Sequence, residues 1–323
     1  MSPRHSILLL PSIFFCFTLS YAQNPVPDPV SFEEEQPACA DSSQYRLVFI
    51  PARHPHIYSE GRIGQNETTG TSEIYWPGSF VSLCFQGDSI SAVLEDEKGE
   101  NYFNVLVDGE QLKVLHLEKG IHEYSLASGL SHGIHTLELH KRNDWTYGFS
   151  RFYSFSMRGS KTYAREKKKL MIEFYGNSIT TGYGNEDYSG KDRPTGDYSN
   201  NYLAYGAITA RNLDAEYACI SHSGIGILIS WHELIMSEEY DRLNPADSLS
   251  HWDFSTNNPD FVVVNLFQND SWLIENPNHE QYIRRFGDTR PGEEAIISAY
   301  ADFLGLLRKA RPGAQIICLL GNM

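Results

Sequence analysis

The 323-residue sequence lacks several features that would assign it to common classes of protein. An apolar run at residues 7–19 is too short to span a bilayer, and no later stretch approaches membrane-spanning length. There is no Cys-x-x-Cys motif or mixed Cys/His cluster, so no metal is expected. Basic residues are scarce, because 26 Lys and Arg face 41 Asp and Glu. The net charge of −15 disfavours nucleic acid and anionic membranes and suits a neutral partner such as a polysaccharide.

The first 43 residues are typical of an export signal followed by a flexible leader. A short polar start precedes the apolar run, and Ser20-Tyr21-Ala22 forms a small-x-small cleavage site, so residues 1–22 are predicted to be a signal peptide. Residues 23–43 are rich in Pro, Glu and Ser and cannot bury much surface. We therefore expect an exported protein, periplasmic or extracellular. Three of the four remaining cysteines lie in apolar runs and are expected to be buried thiols: Cys84, Cys219 and Cys318.

Residues 44–157 carry the pattern of an all-β domain. Short apolar runs are separated by turn residues, and Asp108-Gly109 predicts a hairpin because type I′ turns need positive φ. Residues 153–157 alternate large apolar side chains with serines, which predicts that the apolar ones face inward. Many short strands at regular spacing favour a β-sandwich of the jelly-roll kind. The polar, basic residues 158–169 are predicted to link this domain to the next.

From residue 170 onward, apolar strands alternate with helices. This alternation predicts βαβ units and a parallel sheet, and near-continuous apolar runs fit strands that are covered on both faces. We expect a flavodoxin-like, three-layer α/β domain over residues 170–323, truncated at its C-terminal end, because the sequence stops directly after a predicted strand. The strands are predicted at residues 170–175, 216–220, 261–267 and 315–320, and the helices at 202–213, 231–243 and 293–310.

Polar motifs follow three successive strands of this predicted sheet. They are Gly176-Asn177-Ser178-Ile179-Thr180, Ser221-His222-Ser223-Gly224 and Gln268-Asn269-Asp270. Open α/β sheets bind ligands at the carboxyl ends of their strands, and right-handed crossovers keep those ends on one edge. The sequence therefore predicts one site to which all three loops contribute.

The residue types in the three motifs fit acyl transfer through a serine nucleophile. Ser178 on a tight turn after a strand can present its hydroxyl to a substrate. The backbone N–H of Ser178, the N–H of Gly224 and the side-chain amide of Asn269 can stabilise a developing oxyanion, and losing one such donor typically costs about 10²–10³ in rate. By itself Ser178 also fits a capping or turn serine, and it is the two partner loops that favour the nucleophile.

In this order the motifs resemble the first three blocks of the SGNH (GDSL-like) hydrolases. The longer string Gly176-Asn-Ser-Ile-Thr-Thr-Gly-Tyr-Gly-Asn-Glu186, together with the upstream β-domain, resembles carbohydrate esterase family 2. The resemblance covers roughly residues 50–323. The segments similar to that family's N-terminal jelly-roll domain are Gly61-Arg62, Tyr75-Trp76-Pro77-Gly78 and Val107-Asp108-Gly109.

The resemblance implies a serine esterase that removes O-acetyl groups from acetylxylan- or glucomannan-type polysaccharides, without a metal or organic cofactor. It implies Ser178 as nucleophile, and the Ser178 N–H, Gly224 and Asn269 as the oxyanion hole. The family's general base is a His in a late Asp-x-x-His block, and no such block occurs in residues 1–323. Two positions depart from the pattern. Asn177 replaces the common Asp, and Phe267 stands where Gly is usual, so a narrow acyl pocket that favours acetyl is expected.

Other interpretations of these residues stay open. His222 could be the base, although its place in the second motif favours a role in loop geometry. Trp272, three residues after Asn269, could be a platform for a sugar ring, whereas Trp231 and Trp252 are expected to pack in the core. The chain could instead be a non-catalytic carbohydrate-binding protein that works through its β-domain, or another SGNH acyl-ester hydrolase such as a lipase or thioesterase.

Overall fold

The computed structural model describes residues 45–191, 193 and 195–321, so the predicted signal peptide (1–22) and leader (23–43) lie outside the described residues. None of the described helices is long and apolar enough to cross a membrane. The strands are β1 (Arg46–Pro51), β2 (Ile57–Glu60), β3 (Ile63–Asn66), β4 (Thr71–Ile74), β5 (Phe80–Asp96), β6 (Tyr102–Val107), β7 (Glu110–His116), β8 (Gly120–Lys141), β9 (Ser150–Tyr163), β10 (Leu170–Gly176), β11 (Ala215–Ser221), β12 (Phe261–Asn265) and β13 (Gln315–Leu319). The α-helices are α1 (Ser178–Thr181), α2 (Tyr205–Asn212), α3 (Met236–Glu239), α4 (Gln268–Leu273), α5 (Glu280–Phe286) and α6 (Glu293–Ala310).

The first nine strands form one antiparallel sheet, which confirms the all-β character predicted for this part of the chain. The hydrogen-bonded order is β3-β4-β9-β5-β8-β6-β7, with β1 on β9 and β2 on β5. The hairpin between β6 and β7 turns at Asp108 and Gly109, whose φ angles are 54° and 83°, as a type I′ turn needs. Alternate side chains of these strands share one apolar core, which includes Phe85, Val105 and Phe155.

The end of the antiparallel sheet differs from expectation in two respects. Strand β9 runs on to Tyr163 because residues 158–163 pair with β5, so half of the predicted linker at 158–169 is strand. A register shift beside β5 leaves Tyr153 unpaired between Phe152 and Ser154, which is a β-bulge. The bulge changes the alternation, so Phe152 is buried, while Tyr153 is half-buried and donates a hydrogen bond to Glu95 at 2.8 Å.

The last four strands form a separate, fully parallel sheet in the order β11-β10-β12-β13. Numbered within this sheet the order is 2-1-3-4, which is how a flavodoxin-like sheet begins. Helix α2 packs on one face through Ala207 and Ala210 against Phe174, and α6 packs on the other through Phe303 and Leu307. The predicted parallel sheet with helices on both faces is confirmed. The prediction that the domain continues beyond residue 323 stays a prediction.

Some elements of this α/β part were not predicted correctly. The helix expected at residues 231–243 is mostly loop, and only α3 is helical there. Backbone carbonyls of this segment instead accept hydrogen bonds from distant residues, which local periodicity does not reveal: Glu233 from Arg285, Tyr240 from Arg62 and Leu243 from Trp76. The sequence also gave no sign of α4 and α5. Of the three free thiols in the part of the chain that the structure describes, Cys219 is buried as expected, Cys84 is half-buried and Cys318 is exposed.

A buried ionic cluster joins the two sheets. Arg62, in the turn before β3, donates to Glu173 of β10 at 3.2 Å and to the Tyr175 hydroxyl at 2.7 Å. Arg311, just after α6, donates to both carboxylate oxygens of Glu173 at 2.9 and 3.1 Å. Burial alone would raise the pKa of Glu173, but the two guanidinium groups hold it below its ordinary value. The carboxylate is thus charged and paired in the interior.

Candidate active site

The turn that carries Ser178 begins where β10 ends. A Cβ on Gly176 would lie 1.9 Å from the Thr180 hydroxyl oxygen, so only glycine allows this tight turn. Asn177 caps α1, because its side-chain oxygen accepts the Ile179 N–H at 3.1 Å. Its side-chain nitrogen donates to Gln268 at 2.7 Å, a bond that the more usual aspartate could not donate. The departure at Asn177 therefore ties the first motif to the third.

The Ser178 side chain is half-buried at the mouth of this turn. Within the described ranges, no residue forms a hydrogen bond to its hydroxyl. The backbone N–H groups of Ser178 and Gly224 likewise donate to no residue that the structure describes. These groups are thus available to a bound molecule.

The second motif leads into a compact loop, residues 224–231, that follows β11. Gly224 has φ +85°, and its carbonyl accepts the Trp231 N–H at 3.0 Å, which closes the loop. A Cβ on Gly224 would lie 3.2 Å from that of Trp231. A Cβ on Gly226 would lie 1.9 Å from the Ile229 carbonyl oxygen. The loop therefore needs both glycines to turn this tightly.

The third motif forms the start of α4 and holds that loop in place. Asn269, 3% exposed, donates from its side-chain nitrogen to the Ile225 carbonyl at 2.8 Å. Its side-chain oxygen accepts the Trp231 indole N–H at 3.1 Å. Asp270 accepts three successive backbone N–H groups of the loop, those of Ile227, Leu228 and Ile229, at 3.0, 2.7 and 2.9 Å. Burial nevertheless raises the pKa of Asp270.

Phe267 precedes α4 with a backbone conformation that side chains other than glycine rarely adopt. Its φ is +96°, which costs an L-residue with a Cβ roughly 1–3 kcal/mol. The SGNH family that the sequence resembles usually has glycine at this position, and the positive φ is the physical reason for that glycine. Here the half-buried side chain packs against two apolar clusters, and this packing offsets the strain.

His222 lies in the second motif, and its ring forms a hydrogen bond with Glu239. Its Nδ1 bonds to Glu239 at 3.0 Å, and its ring stacks on His232 with 3.8 Å between centroids. Burial would lower the pKa of His222, but the carboxylates of Glu239 and Asp144 raise it overall. Burial and the neighbouring His222 lower the pKa of His232 to about 3. Asp144, from the antiparallel part, also accepts the Ser223 N–H at 3.2 Å, so this cluster fixes loop geometry.

The sheet brings the three motifs together. Gly176 pairs with Ser221 on one side and with Asn265 on the other, so the motifs leave three adjacent strand ends. Adjacent strands lie about 4.8 Å apart, which places all three within roughly 10 Å. The Thr181 hydroxyl also donates to that of Ser221 at 2.9 Å.

Of the three tryptophans that the sequence analysis singled out, Trp231 is placed differently from expectation. Trp231, expected in the core, is 44% exposed and meets His279 edge-on with 5.2 Å between ring centroids. Trp272 is 58% exposed on α4, which is compatible with contact to a ligand. Trp252 is half-buried beside Arg62, as its core assignment partly anticipated. Sequence reasoning therefore missed the role of Trp231 in the loop, which only the fold reveals.

Several known proteins are similar to this chain. A family model described as the N-terminal region of carbohydrate esterase 2 matches residues 59–165. A cellulase/esterase, CelE, of Acetivibrio thermocellus is 34% identical over 275 residues, which are 84% of this chain and 31% of CelE. An acetylxylan esterase/glucomannan deacetylase of Cellvibrio japonicus is 31% identical over 285 residues, 84% of this chain and 71% of that protein.

The solved structures point the same way. A family two carbohydrate esterase from Clostridium thermocellum, solved with cellohexaose, superposes with a TM-score of 0.73 at 33% identity, covering 83% of this chain and 78% of that one. The comparisons thus define the class as carbohydrate esterases. The chain belongs to carbohydrate esterase family 2. It spans about a third of the length of CelE.

Proposed function

We propose that this protein is an exported serine esterase that removes O-acetyl groups from a plant-type polysaccharide. Ser178 is the nucleophile, and the N–H groups of Ser178 and Gly224 with the side-chain amide of Asn269 form the oxyanion hole. The observation that carries the proposal is the meeting of three motifs at adjacent strand ends, with the hydroxyl and two N–H groups uncommitted. The printed activities of the relatives, acetylxylan esterase and glucomannan deacetylase, support the substrate class.

The chemistry follows from these positions. The Ser178 oxygen attacks the acetyl carbonyl carbon, its proton passes to a general base, and the tetrahedral oxyanion accepts the three N–H donors. Collapse expels the sugar oxygen, which takes the proton from the base and leaves as a hydroxyl. The base then takes a proton from water, whose oxygen attacks the acetyl-serine; acetate leaves and the Ser178 oxygen recovers its proton. The His222 ring is bonded to Glu239 and stacks on His232, and no hydrogen bond between it and Ser178 is seen among the described residues. Because the family resemblance implies a histidine of the Asp-x-x-His kind as the base, we assign the base to such a histidine. The Trp272 ring, exposed on α4, is proposed as a sugar platform.

Hydrolysis of aryl acetates by the full-length protein tests the proposal. Ser178→Ala should abolish activity, and Asn269→Ala should lower kcat about 10²–10³-fold. Aryl acetates should be preferred to aryl butyrates, because Phe267 narrows the acyl site. Activity that survives Ser178→Ala would sink the mechanism, and a clear butyryl preference would reject the narrow pocket. Robust activity from residues 45–323 alone would restore His222 as a candidate base. Binding of xylan by the antiparallel part without any esterase activity would instead favour a carbohydrate-binding protein.

A further inference from the structure

Trp231 donates hydrogen bonds to both Gly224 and Asn269, the two proposed oxyanion-hole members that lie outside the serine turn. Its backbone N–H donates to the Gly224 carbonyl at 3.0 Å. Its indole N–H donates to the Asn269 side-chain oxygen at 3.1 Å. We propose that Trp231 is a positioning residue that fixes the side-chain amide of Asn269 with its nitrogen turned toward the substrate, an inference that rests on the proposed function.

The partners of the Asn269 amide allow only one orientation. An indole N–H can only donate, and a backbone carbonyl can only accept. The oxygen of Asn269 must therefore face Trp231, and its nitrogen must face the Ile225 carbonyl, 2.8 Å away. A flipped amide would leave a buried donor and a buried acceptor without partners, which is costly.

This orientation leaves one hydrogen of the Asn269 side-chain nitrogen uncommitted. The nitrogen carries two hydrogens, and Ile225 is its one acceptor among the described residues. The second hydrogen is free to meet an oxyanion. In the opposite orientation the side-chain oxygen would stand there instead and repel the developing negative charge.

The loop around Trp231 is built to hold this geometry. Asp270 accepts three N–H groups of the loop, and the Gly226 N–H donates to the Ser230 hydroxyl at 2.8 Å. Asn269 and Asp270 are neighbours on α4. The helix therefore holds the loop through the hydrogen bonds of Asp270, and the loop in turn orients Asn269 through Trp231. Both partners are thereby fixed before substrate binds.

Trp231→Phe tests the proposal, because it removes the indole N–H and keeps an aromatic ring. Aryl acetates are the probe, since they contain no sugar ring that Trp231 could bind as a platform. We expect kcat to fall about tenfold with KM changed less than about twofold, because the Ile225 carbonyl still favours one orientation. Tyr153→Phe is the matched control, because it also removes one side-chain hydrogen bond, far from these motifs along the chain, and should leave kcat unchanged.

The double variant with Asn269→Ala separates positioning from other roles. If Trp231 acts through Asn269, Trp231→Phe should cost less than about twofold further once Asn269 is gone. The inference is overturned if Trp231→Phe lowers kcat a full tenfold further in the Asn269→Ala background. It is also overturned if Trp231→Phe alone leaves kcat unchanged while Asn269→Ala lowers it. Either result leaves the proposed function standing. Activity that is independent of Ser178 overturns both.

A spectroscopic measurement covers the case in which Trp231→Phe does not fold. The chain has five tryptophans, so the indole N–H of Trp231 can be resolved and assigned by NMR. In Asn269→Ala its resonance should shift and its exchange with solvent should accelerate, while the other four stay in place. An unchanged Trp231 signal would show that the hydrogen bond does not exist and would overturn the inference.

Discussion

Replacement of Glu173 by Gln should destabilise the protein strongly although it changes one atom. Glu173 is fully buried between Arg62 and Arg311, each of which is at most 2% exposed. At a separation of about 3 Å and an effective dielectric constant of about 20, each pair is worth roughly 5 kcal/mol before desolvation is counted. Removing one partner of a buried pair typically costs about 3–5 kcal/mol, because the remaining charge is buried without compensation.

Thermal unfolding measures this loss. A cost of about 4 kcal/mol corresponds to a fall in Tm of about 10 °C for a chain of this size. Glu67→Gln is the matched control, because it neutralises a carboxylate paired with Arg53 at 2.7 Å that is 81% exposed, and it should change Tm by no more than about 2 °C. The reasoning is refuted if Glu173→Gln loses less than about 1 kcal/mol.

The same variant has a characteristic pH dependence. The folded state holds the pKa of Glu173 below its ordinary value. The charged carboxylate therefore stabilises the fold fully at a pH above the ordinary pKa. This stabilisation is lost as the pH falls through the lower pKa of the folded state. The difference in unfolding free energy between wild type and Glu173→Gln should therefore shrink as the pH falls from 5 to about 3. A difference that grows in acid would contradict a paired carboxylate.

Glu60→Gln should change the pH dependence of stability near neutral pH rather than in acid. Burial raises the pKa of Glu60 to about 7, so its contribution is complete below the ordinary value and is lost, on the order of 3 kcal/mol, as the pH rises through 7. Gln can still accept the Tyr217 N–H, which Glu60 accepts at 2.7 Å, so the variant should fold. Glu60→Gln should therefore flatten the decline of Tm between pH 5 and 8. Superimposable plots of Tm against pH for variant and wild type would refute this. Gly224→Ala should lower kcat at least about tenfold, since φ is +85° and the new Cβ meets that of Trp231. Gly129→Ala is the control, because Gly129 has φ +70° but open space around it, so the variant carries similar backbone strain without crowding. It should keep full activity. An equal fall in kcat in Gly129→Ala would rule out the crowding argument.

Much of the fold could be predicted from the sequence because its signals are local. The Asp108-Gly109 turn has the φ values that its residue types demand, and α6 begins and ends where its acidic first turn and basic last turn indicate. The apolar runs of β10, β11 and β12 indicate strands that are covered on both faces, and these three are buried. The equally apolar run of β13 is mostly exposed, so there the expectation was wrong. Such signals depend on a few neighbouring residues, so they survive without knowledge of the fold.

The failures share a different cause. The segment at residues 231–243 was predicted to be a helix, yet its Trp231 indole donates to Asn269 and its Glu233 and Tyr240 carbonyls accept from Arg285 and Arg62. The bulge at Tyr153 arises from register with β5, and strand β9 continues because β5 is long enough to pair with it. Hydrogen bonds between distant segments override local preference in each case.

The sequence by itself determined which residues are proposed to carry the chemistry. Ser178, Gly224 and Asn269 stand after apolar strands, and parallel connection forces such positions to one edge of a sheet. Only the tertiary structure decided how they are held: Trp231 meets Asn269, Asn177 meets Gln268, and Arg62 crosses from one sheet to Glu173 of the other. The physical reason is the distance along the chain between the residues that determine each feature. Strand, turn and motif are set by neighbours along the chain, whereas the orientation of an amide or the charge of a buried carboxylate is set by groups that only folding brings within hydrogen-bond distance.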